Sequence, residues 1–123
     1  MAAASARGYS ATNTIACCPV THDEVVAEIM ARAAARRIFT HYCGPATRCK
    51  GIPGVPDLML AGDRHAGWIE VKVPPDTLSP GQSRWRWKLK ASGQLYEAMG
   101  PADLAEGGAV DKFLEFLATG RMP

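Results

Sequence analysis

The sequence predicts an α/β fold, a mixed β-sheet flanked by helices, and three observations carry that reading. Two segments open with well-formed helix caps, short apolar runs between them are bounded by glycine and proline, and one run–helix–run passage has the length of a parallel crossover. With 123 residues there is room for one modest core. A hydrophobic share of 47% and a charged share of 21% are those of an ordinary globular chain. No apolar run approaches the ~20 residues that span a bilayer, so no membrane partner is expected. The N-terminus is rich in alanine but lacks a basic segment followed by an apolar one, so a cytoplasmic protein is expected.

Residues 1–20 are small and polar without periodicity and read as a flexible or irregular arm, leaving 21–123 as a single domain. Thr21-His22-Asp23-Glu24 has the form of a capping box, in which hydroxyl and carboxylate satisfy free amides reciprocally. Val25, Val26, Ile29, Met30 and Ala33 then recur at helical spacing, predicting an amphipathic helix over 22–36 with Glu28 and Arg32 paired on its outer face. Ile38, Phe39 and Tyr42 suit a strand over 37–42, broken at Gly44-Pro45. The stretch 50–56 is a loop, because glycine and proline crowd it. Asp57-Leu58-Met59-Leu60 then reads as a buried strand, 61–67 as a hairpin connection, and 68–73 as a second strand stopped by Pro74-Pro75.

Ser79-Pro80-Gly81-Gln82 is the clearest helix start, with a serine N-cap, proline at the first helical position and glutamine at the capping-box position. Alternation over 84–90 suits a strand, but the cap, the length and Gly93 as a stop favour a helix. Residues 94–99 form a short strand parallel to 68–73, and Val110, Phe113, Leu114 and Leu117 mark a last helix ending before Gly120.

A net charge of +2 names no partner by itself, but its distribution is uneven. Arg84, Arg86, Lys88 and Lys90 alternate with Trp85 and Trp87, a composition suited to phosphates and bases, or else to a solvated helix face with its tryptophans in the core. Cys17, Cys18, Cys43 and Cys49 fit no zinc spacing. A Cys43, Cys49 and His41 metal site is conceivable, but in a reducing compartment free thiols without a structural disulfide are the expectation.

The chemistry concentrates on the strand Trp68-Ile69-Glu70-Val71-Lys72-Val73. Ile69, Val71 and Val73 share one face, and Trp68, Glu70 and Lys72 the other. Glu70 and Lys72 lie ~7 Å apart along the backbone at ~3.3 Å per residue, so both lean into one space. A surface salt bridge on an edge strand explains that pair alone. Asp57 adds a second carboxylate, thirteen residues earlier across a hairpin that can set it beside Glu70. Converging carboxylates are gathered by a hard divalent cation such as Mg²⁺ or Mn²⁺, with the Val71 carbonyl available as a further oxygen ligand. Such an ion neutralises phosphate charge and acidifies water, while a neighbouring lysine positions the nucleophile.

Pro56-Asp57 followed by Glu70-Val71-Lys72 resembles the PD-(D/E)xK signature of a nuclease superfamily. The wider stretches GVPDLML, GWIEVKVPPDTLSPGQ and LKASGQLYEAM resemble its VRR-NUC family, the virus-type replication-repair nucleases, over nearly all of the chain from Thr21 to about Leu117. The resemblance implies a restriction-endonuclease-like core and a Mg²⁺- or Mn²⁺-dependent DNA endonuclease. Small members of this phage or bacterial kind are often dimeric and directed at branched DNA such as four-way junctions. By position it implies that Asp57 and Glu70 hold metal, that Lys72 assists the nucleophilic water, and that Gln82 lines the site. It also implies a glutamate on the first helix facing the metal, for which Glu24 is the candidate. Relatives often carry basic or amide side chains on the strand before the loop, where this chain has Thr40, His41, Tyr42 and Cys43; Arg48 and Lys50 are then the replacement phosphate contacts, beside Arg84, Arg86 and Lys88. Other readings keep the same site on linear or single-stranded DNA, or keep the fold as a catalytically idle DNA-binding module. The intact aspartate, glutamate and lysine argue against the last.

Overall fold

The computed structural model describes residues 19–44 and 51–122, and within them each helix and strand expected above forms. The expected arm lies almost entirely outside the described residues. Helix α1 (His22–Ala35) opens with the complete Thr21/Glu24 capping box and buries Val25, Val26, Ile29 and Ala33. Its end differs slightly from expectation. Arg37 adopts a left-handed φ of 60°, and the Ile38 amide returns to the Ala33 carbonyl at 2.9 Å, so β1 starts only at Phe39 (Phe39–Tyr42).

Strands β2 (Leu58–Ala61), β3 (Ala66–Val71) and β4 (Leu95–Met99) complete one sheet in the order β1-β2-β3-β4. The first two neighbouring pairs are antiparallel, and β3 pairs with β4 in parallel. That parallel pair is joined by α2 (Pro80–Ala91), as the crossover requires. Lys72 lies just past β3, yet its amide still donates to the Met99 carbonyl at 2.8 Å, so the strand's alternation carries through it. One short 3₁₀ turn, Pro101–Leu104, was not expected from the sequence; it buries Leu104 before α3 (Ala109–Thr119).

Register divides the sheet into two faces. Leu58, Leu60, Ile69, Val71 and Met99 join the buried residues of α1 and α3, with Val110, Leu114 and Leu117, in one apolar core. Removing such side chains from water stabilises the fold by roughly 1.5–3 kcal/mol each. Arg32 and Arg36 tie α1 to α3 through Asp111, with Arg32 also bonded to Glu28 at 2.8 Å and Arg36 to Glu115 at 3.1 Å. These half-exposed pairs orient the helices more than they stabilise them. On the opposite face, α2 buries little beyond Leu89 and is otherwise polar.

Cys43 is disulfide-bonded, which corrects the expectation of free thiols. That expectation rested on an assumed compartment, not on where the sulfurs lie. The other three cysteines fall outside the described residues.

Candidate active site

The sheet face opposite the core is built by alternation. Because Ile69 and Val71 are core residues, Glu70 must point to the α2 side, where it meets the first turn of that helix. Ser79 accepts from the Gln82 amide and Gln82 Oε1 accepts from the Ser79 amide at 2.8 Å, completing the capping box. The same glutamine donates through Nε2 to Glu70 Oε2 at 2.9 Å. Capping and site-lining are therefore one arrangement: the amide oxygen fixes the helix start, and the amide nitrogen holds the carboxylate.

Asp57 enters from the loop before β2. Its backbone carbonyl accepts from the Cys43 amide at 2.7 Å, which fixes the main chain. Its Oδ2 accepts from the Val71 amide at 2.9 Å, linking it to the strand of Glu70. His22, the first residue of α1, brings Nε2 to 3.2 Å from the same oxygen. The 51–56 loop docks on the start of α2, where Trp85 Nε1 donates to the Ile52 carbonyl at 3.1 Å. Asp57, Glu70 and Gln82 thus gather from three separate segments.

Glu70 is only 2% exposed, whereas Lys72, half-buried, places Nζ 3.9 Å from Glu70 Oε2. A salt bridge on an exposed edge is thereby ruled out. Burial, followed by the neighbouring charge and hydrogen bond of Asp57, pushes the Glu70 carboxyl up to about 8, with Lys72 pulling it partly back. Two carboxyls that close without a cation destabilise their shared charge. Glu70 Oε1 is moreover buried without a hydrogen-bond partner. A buried carboxylate with one orphaned oxygen and a second carboxylate beside it is what a hard divalent ion would satisfy, so the donor set fits such an ion. Among the described residues, no group of three or more histidine, cysteine, aspartate or glutamate side chains gathers.

Glu24 is not brought to this centre. Its Oε1 accepts from the Val20 and Thr21 amides at 3.1 Å each, and those bonds lower its carboxyl pKa. Residues 22 and 24 point roughly 200° apart on a helix, so with His22 turned to Asp57, Glu24 turns away. Arg84, Arg86, Lys88 and Lys90 are all exposed along α2. Arg48 and Lys50 lie outside the described residues.

Two residues were missed by the sequence reading. His22 was absorbed into a cap, and nothing local reports a contact 35 residues away. Tyr96 stands opposite Trp68 in the parallel register, on the Glu70 face. Its hydroxyl is buried without a hydrogen-bond partner; burial, then the charge of Glu70, pushes it up to about 12, while Arg86 pulls it partly back. The alternation of β4 was the available clue, since it sets Tyr96 and Ala98 opposite the core-facing Leu95 and Met99.

No family model and no curated protein matches the chain. Among solved structures it is similar to a chain described as a VRR_NUC domain, with 22% identity and a TM-score of 0.59, covering 76% of this chain and 94% of that one. With the mixed sheet, the crossover through α2 and helices on both faces, the chain has the fold of a VRR_NUC domain.

Proposed function

We propose that this protein is a divalent-metal-dependent DNA endonuclease of the PD-(D/E)xK type. The observation that carries the reading is the convergence of Asp57 on the buried Glu70, whose carboxyl is pushed up to about 8 by burial first and by Asp57 second, with Lys72 Nζ 3.9 Å away. The likeness of fold to a VRR_NUC domain supports it. Asp57 and Glu70 would hold the ion, with the Val71 carbonyl as a third oxygen. A bound Mg²⁺ or Mn²⁺ would supply charge neutralisation at the phosphate and a more acidic water. Lys72 orients that water and stabilises charge as the phosphate becomes five-coordinate. Gln82 keeps Glu70 in place, and His22 with the Val71 amide keeps Asp57 in place. Glu24, engaged in capping, has no part in this proposal. In this proposal Arg84, Arg86 and Lys88, with Arg48 and Lys50, contact the phosphate backbone.

Branched DNA bound by a homodimer is the preferred substrate arrangement in this proposal. A two-fold pair suits a junction. Phe39 and Met59 share the α2-side face of the sheet and are 82% and 43% exposed, apolar surface that a second copy would cover.

The test is cleavage of a labelled four-way junction, a fork and a matched linear duplex, with and without Mg²⁺ or Mn²⁺, alongside Asp57→Ala and Lys72→Ala. Metal-dependent cutting lost in both variants is expected. Binding without cleavage of any substrate would overturn the nuclease reading. Equal cutting of the linear duplex would remove junction selectivity alone, and cleavage surviving in Asp57→Ala would overturn the assignment of metal ligands.

A further inference from the structure

We propose that Trp87, on the outward side of α2, is a stacking platform for an unpaired nucleobase, so that the DNA engaged has a single-stranded segment leaving the site along this helix. The inference rests on the nuclease reading for its partner and goes beyond it in naming the structure recognised. A tryptophan is a costly side chain to leave in water, yet Trp87 is 67% exposed. Its neighbour two residues earlier, Trp85, is half-buried and bonded to the loop that carries Asp57. The two tryptophans thus divide: one anchors the helix, the other has no packing role that accounts for it.

Its surroundings are cationic. No acidic residue occurs between Asp76 and Glu97, and the helix exposes Arg84, Arg86, Lys88 and Lys90. Lys88 Nζ lies over the Trp87 ring at 5.8 Å from its centroid. Next to the ring runs a surface groove of about 460 Å³ walled by Ser83, Arg86, Trp87, Lys90 and Ala91, without Lys88. An aromatic plane beside a groove with cations along its rim is how proteins bind single strands: the base stacks on the ring and the flanking phosphates pair with the cations. A closed duplex hides its base faces and offers only phosphates to such a surface. Gln82, on the first turn of the same helix, touches Glu70, so a strand following α2 toward its N-terminus arrives at the carboxylates. Positions 82 and 87 differ by roughly 140° around the helix, so the strand must wrap across its basic side. Arg86, whose charge reaches Tyr96, lies along that course.

The experiment measures binding without chemistry. Fluorescence anisotropy in EDTA compares the full chain with Trp87→Ala and Trp87→Phe on single-stranded oligothymidine, a flapped duplex and a blunt duplex. Trp87→Ala is expected to weaken the single strand and the flap on the order of tenfold while leaving the blunt duplex unchanged, with Trp87→Phe recovering most of the loss. Equal weakening on the blunt duplex, or no weakening on the single strand, overturns the proposal. So does a change in sedimentation of Trp87→Ala with DNA binding intact, which would assign the ring to a protein interface. Since the readout needs no metal, the two readings fail separately. A protein that never cuts but shows the selective loss keeps the platform, and one that cuts without that loss keeps only the nuclease.

Discussion

Gly54 lies in the loop that delivers Asp57, at a φ of 97°, and its α-carbon faces the backbone where α2 begins. A methyl group there would come within 2.6 Å of the Gln82 nitrogen, which cannot yield because it is held by the Ser79 cap. Gly51 has a comparable φ of 120° but open space around it. The two glycines therefore separate backbone strain from loss of docking. Gly54→Ala should cost about 2 kcal/mol, read as a lower urea midpoint, and reduce cleavage at least tenfold, because Asp57 and Gln82 are pushed apart. Gly51→Ala should show the strain, at about 1 kcal/mol, with cleavage close to wild type. Equal losses of activity in both would mean that loop docking does not position the aspartate. The same residue scale explains Gln82. Its cap is plain in the sequence, and because its Nε2 also donates to Glu70, capping leaves the other end of the side chain free for the role proposed for it.

At the scale of elements, α1 ends under strain. Arg37 holds the left-handed conformation that closes the helix, at a φ of 60°, where a side chain costs roughly 1–2 kcal/mol and glycine almost nothing. Glycine also loosens the unfolded chain, which returns part of that gain. Arg37→Gly should therefore stabilise by about 0.5–1 kcal/mol in urea unfolding and leave cleavage unchanged, since the residue is exposed and makes no contact with the site. Destabilisation would show that the arginine side chain contributes more than its backbone costs. Elements were the most legible level of this chain. Caps at Thr21 and Ser79, the Gly93 stop and the alternation of β3 are local codes, and each led to the element it predicted. The strand phase also assigned Glu70 and Lys72 to one face correctly. What stayed hidden depends on distant partners. His22 meets Asp57 across 35 residues, and the hydroxyl of Tyr96 matters only because the parallel register sets it near Glu70. Trp87 was ambiguous for another reason: its alternation with arginine and lysine fits a buried and an exposed ring equally, and only helix phase and packing choose.

For the molecule as a whole, the paired carboxylates set stability against function. In the folded chain Glu70 keeps its proton up to about 8, while in the unfolded chain it releases it near 4.5. Between those values the folded state holds the extra proton, so unfolding becomes easier as pH rises across that window, and the stability present at its acid end is lost by the time pH passes 8. The metal-free protein should accordingly show a thermal midpoint that falls from about pH 5 to about pH 8.5, beyond what other groups contribute. Glu70→Gln removes the charge but keeps the shape and the hydrogen-bonding capacity. Its midpoint should change less with pH over this range and exceed that of wild type at the alkaline end, with cleavage abolished. A divalent ion binding only the folded state must displace the same proton, so Mg²⁺ or Mn²⁺ should raise the wild-type midpoint more at the alkaline end than at the acid end and do little for Glu70→Gln. Circular dichroism melts of both proteins, with metal and with EDTA, measure all of these differences. A wild-type curve no steeper with pH than that of Glu70→Gln would mean that Glu70 titrates as an ordinary carboxylate, pushed up neither by burial nor by Asp57. An ion that raised both proteins equally would be bound elsewhere. The reverse outcome, steep in wild type and shallow in the variant, would tie the destabilising pair to the site that holds the ion, and with it the strain in the metal-free fold to the chemistry proposed for it.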